Sequence, residues 1–411
     1  MEILEKLKGL LPEGSYLVGG FVRDYLLGKK PKDLDLIVKT DNVEKLARRV
    51  ANSLKANLFG FKKENLPARE EVYSVVLEGG FRIDISAYDD LLKDLSARDF
   101  TVNAMAVPLE RTTDGGFSFL DVVDPFGGLN DLKRGLIRAI AKENLESDPL
   151  RLLRAFRLAA DLDFEVEPAT REMIKELSPL IKKSAKERVV AELLKAAKTS
   201  NFVKFLKGAS ETSLLKELFS IDPSESNELL SKTLKVEQSL NRKNLTGLMR
   251  NKIFLGEFDE KSAVRLLPLA TLTPGGVKSF TAKLPLGEDL SRYLKGGIEG
   301  FEFLKGLDVS SVEQLRWFLN RYSDYLYPVG VLSYAFGQGE KFDKLLSFYT
   351  ERYRKFSKPL LSGREVMKLL GLKPSPKVGQ ILDKLVEAQL KGEVKTKGEA
   401  EKFVLSLRDK V

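Results

Sequence analysis

The apolar positions of this chain follow two different periods. Up to about residue 140, apolar or alternating runs stand at 16–19, 33–39, 72–77, 81–86, 101–107 and 117–123. A period near two predicts half-buried strands. Glycines, Pro31-Lys32 and Asp114-Gly115-Gly116 separate the runs as turns. The run over 72–86 folds around Gly79-Gly80, which implies an antiparallel hairpin. Helical spacing in this part is confined to the opening MEILEKLKGLLPEG, to the stretch after Gly20, and to 42–54. After Asp148 the spacing turns helical almost to the end, beginning with Leu150, Leu153, Phe156 and Ala160. Further short helices are predicted at 188–197, 202–207, 213–219, 224–239 and 244–254. Pro223, Pro268, Pro274 and Pro285 punctuate the middle, and 360–404 reads as a compact helical unit with turns at 373–376. The expected class is α+β, a sheet domain followed by helical domains.

Composition narrows the chemistry. Histidine and cysteine are both absent. Without them a disulfide frame, an imidazole or thiolate zinc centre and the common nucleophilic triads cannot be built. Zinc is therefore not expected, and the remaining metal chemistry is that of carboxylates, which suits magnesium or manganese. No apolar run reaches transmembrane length, and the N-terminus has no apolar core ending in a small-residue cleavage site. The expectation is no membrane, no signal peptide and a cytoplasmic location. The net charge of +9 suits a polyanionic partner such as RNA or DNA, or else a solvated lysine-rich surface.

The most informative stretch is GGFVRDYLLGKKPKDLDLIV, residues 19–38. Gly19 and Gly20 let backbone approach a ligand, and the helix after them offers N–H groups to phosphate, with Arg23 in its first turn. Asp33 and Asp35 stand two apart at the head of an apolar strand, so both carboxylates share a face. Two like charges so close repel unless a cation lies between them. Divalent metal and nucleotide transfer from a triphosphate are the chemistry this pattern suits. Farther on, Asp148 and Arg151 stand three apart at a helix start. Acceptors on one and donors on the other imitate the edge of a complementary base.

Gly19-Gly20-Phe21-Val22-Arg23-Asp24 followed by Asp33-Leu34-Asp35 resembles the class II tRNA nucleotidyltransferases and bacterial poly(A) polymerases. That resemblance implies a polymerase-beta-like nucleotidyltransferase head, then a helical neck, body and tail, divided at 1–125, 126–199, 200–310 and 311–411. It implies two Mg2+ ions, with Mn2+ an alternative, on Asp33 and Asp35. Asp84 would complete the catalytic carboxylates, and Gly19, Gly20 and Arg23 would hold the triphosphate. Arg98-Asp99-Phe100-Thr101-Val102-Asn103-Ala104 is similar to the family's sugar-recognition motif, which implies nucleotide contacts for Arg98, Asp99 and Asn103. Ala97 stands where the family has a further arginine. Asp124-Pro125-Phe126-Gly127-Gly128 resembles its hinge between head and neck.

Asp148-Pro149-Leu150-Arg151 resembles the motif with which the family reads CTP and ATP, with Ser147 in place of its glutamate. Asp148 and Arg151 would read the base, while Arg154 and Arg157 would support the pocket or reach phosphate. Ser184-Ala185-Lys186-Glu187-Arg188 with Glu192-Leu193 resembles a neck motif and is read as structural. Segments after 360 resemble tails that hold the acceptor–TΨC arm of tRNA. Lys355, Lys358, Arg364, Lys368 and Lys373 would meet its phosphates there.

Between Asp84 and Arg98 the chain has only Ile-Ser-Ala-Tyr-Asp-Asp-Leu-Leu-Lys-Asp-Leu-Ser-Ala. Full CCA-adding members carry a longer charged loop there, a lever for changing from CTP to ATP. The resemblance therefore implies CC addition from CTP. CCA addition with ATP is the next alternative, then A addition or poly(A) synthesis. Outside this class stand an RNA-binding protein with a decayed head and a transferase acting on a protein or small molecule.

Overall fold

The computed structural model describes residues 2–31, 33–61, 71–113 and 116–408. The turn residues Lys32, Asp114 and Gly115 lie outside that set. The chain forms two compact units, Met1–Leu218 and Phe219–Val411.

The first unit is built on a six-stranded sheet of β1 (Tyr16–Val18), β2 (Asp33–Val38), β3 (Asn57–Phe61), β4 (Val72–Val76), β5 (Arg82–Ala87) and β6 (Ala106–Pro108). Their order is β3-β4-β5-β2-β1-β6. β2 and β5 run parallel and every other pair is antiparallel. Leu34, Leu36, Ile37 and Val38 of β2 are all buried, which suits a central strand covered on both faces beyond its first residues. Register then places Asp35 opposite Val18 of β1 on one side and Asp84 of β5 on the other.

The helices around the sheet are α1 (Glu2–Lys8), α2 (Gly20–Leu26), α3 (Val43–Leu54) and α4 (Leu91–Ser96). The Asn42 side chain caps α3 by accepting the Lys45 N–H at 2.8 Å. The face Val43, Ala47, Val50 and Ala51 is buried.

Three readings of the pattern are corrected here. In 101–107 only the end is strand, and Thr101–Asn103 is a 3-10 turn. The Thr101 hydroxyl donates to Asp131 and the Asn103 amide to Asp99, and such side-chain bonds compete with a sheet ladder. In 117–123 a Ser118-capped 3-10 turn, Phe119–Asp121, replaces the strand, leaving a lone bridge from Val123 to Ala106. β3 has no counterpart in the pattern reading. It contains Gly60, where a side chain would press within 2.7 Å of the Tyr73 ring on β4, so a residue that weakens the strand signal is there for close packing.

A helical layer follows: α5 (Gly128–Arg134), α6 (Lys142–Ser147), α7 (Leu150–Leu162), α8 (Pro168–Leu177), α9 (Lys186–Lys198) and α10 (Phe202–Glu211). α7 is buried along most of its length and packs on α9 and α10. At Gly208 of α10 an added Cβ would fall 2.1 Å from the Phe156 ring, so this glycine sets how closely α7 and α10 approach.

Among the described residues the second unit is helical apart from a small hairpin of Ile253–Phe254 and Phe258–Asp259. The helix predicted at 244–254 is thus cut to Lys243–Thr246. Buried Glu260 explains the break, because its carboxylate accepts the Arg250 N–H at 2.7 Å, the Lys252 N–H at 3.3 Å and the Tyr293 hydroxyl at 2.9 Å. At the C-terminal end, helices Gly363–Leu370, Pro376–Lys391 and Lys397–Ser406 enclose a core of Leu361, Val366, Ile381, Leu385, Ala400 and Val404. Among the described residues no helix is long and apolar enough to cross a membrane.

Candidate active site

Gly19 ends β1 at φ 71°, ψ −138°, a conformation that residues with side chains avoid. A Cβ there would lie 2.9 Å from Arg98 Nη1 and 3.0 Å from an Asp35 carboxylate oxygen. The bare backbone is therefore needed beside Asp35. Gly20 has no positive φ, and a Cβ on it would meet Arg23 Nη2 at an ordinary 3.4 Å. Arg23 is buried. Its guanidinium donates to Asn103 Oδ1 at 2.5 Å and pairs with Asp24 at 2.7 Å.

Asp33 and Asp35 alternate on β2 with buried Leu34 between them. From β5, Arg82 reaches Asp33 at 3.1 Å and Asp84 at 3.1 Å, and the Ser74 hydroxyl donates to Asp84. The Asp35 carboxyl is pushed up to about 6, first by burial and then by the charges of Asp33 and Asp84, which Arg98 and Arg82 only partly offset. Asp35 thus sits where negative charge is in excess. An all-oxygen donor pair in such a field fits a hard divalent cation. Among the described residues no group of three or more carboxylates stands arranged to ligate an ion, and Arg82 bonds two of the three acids.

Asp99 and Asn103 fold inward. Asp99 is buried and accepts the Phe100 N–H at 2.9 Å, the Asn103 amide at 2.9 Å and Arg154 Nη2 at 2.8 Å. Burial alone would raise its carboxyl, but the Arg154 charge and these hydrogen bonds hold it below the usual carboxylate range. Arg98 pairs with Asp94 at 3.0 Å on the adjoining α4. Asp124 uses both oxygens to cap α5, accepting the Gly128 N–H at 2.7 Å and the Leu129 N–H at 2.9 Å. A Cβ on Gly128 would fall 2.3 Å from the Thr101 carbonyl oxygen, so that glycine lets α5 sit against the Thr101–Asn103 turn.

Asp148 lies between α6 and α7, one residue before Pro149, which takes the cap position of α7. Its partner is Arg188 of α9 at 2.8 Å. Arg151 donates instead to the Ala97 carbonyl at 2.9 Å and the Asn144 carbonyl at 3.2 Å. Arg154 runs from Asp99 toward Glu192 of α9, 3.8 Å away, and Arg157 pairs with Glu192 at 2.8 Å. Glu192 is buried, which would raise its carboxyl, yet Arg157, Arg154 and Lys195 keep it below the ordinary range.

The first unit thus holds every predicted residue except the five basic tail residues, which are exposed and belong to the second unit. The sequence reading passed over Arg82, Asp94, Arg188 and Glu192 as site residues. Arg82 alternates with Asp84 and was legible as a same-face neighbour. Arg188 and Glu192 stand four apart and share a helix face, but nothing local says which helix that face meets.

Residues 15–138 match the family model of the poly A polymerase head domain, and residues 163–224 match that of a probable RNA and SrmB- binding site of polymerase A. The CC-adding tRNA nucleotidyltransferase of Synechocystis sp. is 31% identical over 407 residues, covering 95% of this chain and 93% of that protein. The CCA-adding enzyme of Streptococcus suis is 28% identical over 416 residues, covering 96% of this chain and 93% of that protein. The structure of the Thermotoga maritima CCA-adding enzyme complexed with tRNA superposes with a TM-score of 0.70 at 24% identity, covering 98% of this chain and 92% of that one. This last likeness is one of fold.

Proposed function

Because the chain belongs to the family of class II tRNA nucleotidyltransferases and bacterial poly(A) polymerases, we propose that it adds cytidines from CTP to the 3′ end of tRNA and stops after two. The family assignment rests on a relative of similar length that matches nearly end to end. The stop after CC rests on one feature, the span from Asp84 to Arg98. β5 runs to Ala87, Asp90 caps α4 by accepting the Lys93 N–H at 2.7 Å, and buried Leu95 anchors that helix. Tyr88 donates to the Gly14 carbonyl at 2.6 Å. The span is short and pinned. A rigid Asp–Arg pair must shift to admit the larger adenine, and this span offers no lever for the shift.

Asp33 and Asp35 would hold divalent metal, Mg2+ or Mn2+, with Asp84 supporting the same face. Bound there, two such ions would neutralise the triphosphate and favour the alkoxide of the RNA 3′ end. The chain's own groups do the rest. Gly19 lets the triphosphate lie against backbone beside Asp35, and Arg98, next to Gly19, supplies positive charge to it. Arg23, held by Asp24 and Asn103, fixes the α2 turn under Gly20. Asp99 and Asn103 shape the sugar pocket, and Asp148 with Arg151 faces the base. Arg154 and Arg157 tie α7 to the sugar motif and to α9.

The division into head 1–125, neck 126–199, body 200–310 and tail 311–411 is part of this reading. So are phosphate contacts from Lys355, Lys358, Arg364, Lys368 and Lys373 to the acceptor–TΨC arm, and a cytoplasmic location, where tRNA is matured. The test is incubation of tRNA lacking its 3′ CCA with CTP, with ATP, and with both. The expected product carries two cytidines whether or not ATP is present. Adenosine incorporation after CC would assign full CCA addition and defeat the argument from the short span.

A further inference from the structure

We infer that Arg188 is a positioning residue for base selection, holding Asp148 as a fixed acceptor for the amino group that cytosine carries and uracil lacks. The inference rests on the reading of Asp148 as a base-facing residue. Arg188 uses both prongs of its guanidinium, Nη1 to Asp148 Oδ1 at 3.1 Å and Nη2 to Oδ2 at 2.8 Å. The Leu150 N–H adds a longer bond to Oδ1 at 3.3 Å. A carboxylate has about four lone-pair positions, two on each oxygen. Three are then taken, and the one left is on Oδ2. A single fixed acceptor rewards a donor in front of it, whereas the carbonyl of uracil would set lone pair against lone pair.

Arg151 does not supply this restraint, because its Nη1 is committed to the Ala97 and Asn144 carbonyls. Without Arg188 the carboxylate keeps only the Leu150 bond among those described, and its rotation is freed. α9 is suited to the task. Arg188 and Glu192 lie four apart on one face, so Arg188 meets the acid before α7 while Glu192 meets Arg154 and Arg157 within it. α9 therefore matches the charges of the selecting helix one turn at a time, and Glu192, being buried, keeps that register from slipping.

The experiment measures kcat and KM for CTP and UTP on tRNA lacking its 3′ CCA. Arg188→Ala is expected to raise KM for CTP roughly tenfold and to narrow the CTP:UTP ratio of kcat/KM by about the same factor, with kcat changing less. Arg188→Lys keeps the charge but not the fork, and its ratio should fall between wild type and Arg188→Ala. A ratio that stays at the wild-type value while both triphosphates lose rate together would show that Arg188 only braces the helix, and would overturn the inference. Should Arg188→Ala fail to fold, the Arg188→Lys ratio decides alone, and a wild-type ratio there overturns it. Asp148→Ala separates the two claims. If that variant keeps its CTP preference, the base-reading assignment itself fails. If it loses the preference while the Arg188 variants keep it, only the role of Arg188 fails.

Discussion

At the scale of single residues, Asp35 combines functional need with structural cost. Its carboxyl is pushed up to about 6 because burial and two neighbouring acids disfavour its charge. The folded state therefore holds a proton there that the unfolded state releases near the ordinary carboxylate value. Stability is reduced above about pH 6, and the penalty is relieved as pH falls from 6 toward 4. Asp35→Asn should accordingly abolish nucleotide addition yet stabilise the protein in EDTA at pH 7.5 by about 2–3 kcal/mol. Thermal unfolding beside wild type checks this, and the gain should vanish at pH 4. Retained activity would remove the metal assignment. The two glycines next to it differ in kind. Gly19→Ala meets a forbidden φ and two charged side chains, whereas Gly20→Ala meets an ordinary contact. A displacement beside the reacting groups costs on the order of 100-fold in rate, so kcat/KM should collapse in the first variant and fall far less in the second.

At the scale of elements, α7 is a largely buried helix whose three arginines are each answered from elsewhere in the fold. Arg154 and Arg157 are held by one buried carboxylate, Glu192, and Arg154 also reaches Asp99. Removing one partner of a buried ion pair leaves the other uncompensated. Glu192→Ala should therefore lower unfolding free energy by about 3 kcal/mol in a urea titration. A change within ~0.5 kcal/mol, typical of surface sites, would show that the pair is not structural. The packing of α7 on α10 is steric. A methyl at Gly208 collides with the Phe156 ring, and Gly208→Ala should cost about 1–3 kcal/mol by overpacking in the same titration. Such elements were visible in the sequence by period and length. The 101–107 segment misled because side-chain hydrogen bonds bend its buried backbone into a 3-10 turn, and 117–123 misled because its apolar Phe119 and Leu120 stand exposed on a Ser118-capped 3-10 turn.

At the scale of the whole molecule, the +9 charge matters for RNA affinity more than for folding. The exposed basic residues of the second unit should act by neutralising phosphate, largely without regard to sequence. Lys368→Ala combined with Lys373→Ala should weaken tRNA binding and reduce the slope of log K against log salt by about two, one for each phosphate left without its lysine. Binding titrations at several ionic strengths read this directly. An unchanged slope would take the tail residues out of the interface.

The sequence by itself determined the class of chemistry. It has no His or Cys, it places Asp33 and Asp35 at strand spacing, and it follows a glycine pair with a helix. Those are local facts, set by a period of two, by a side chain's absence and by elements that a few residues decide. What only the tertiary structure decided is who faces whom. The parallel register of β2 and β5 brings Asp84 level with Asp35, and the packing of α9 on α7 gives Asp148 to Arg188 while Arg151 turns to the Ala97 carbonyl. Charge pairing between elements distant in the chain leaves no periodic mark on either one. It depends on how closely the backbones approach, and that is set by packing at points such as Gly128 and Gly208.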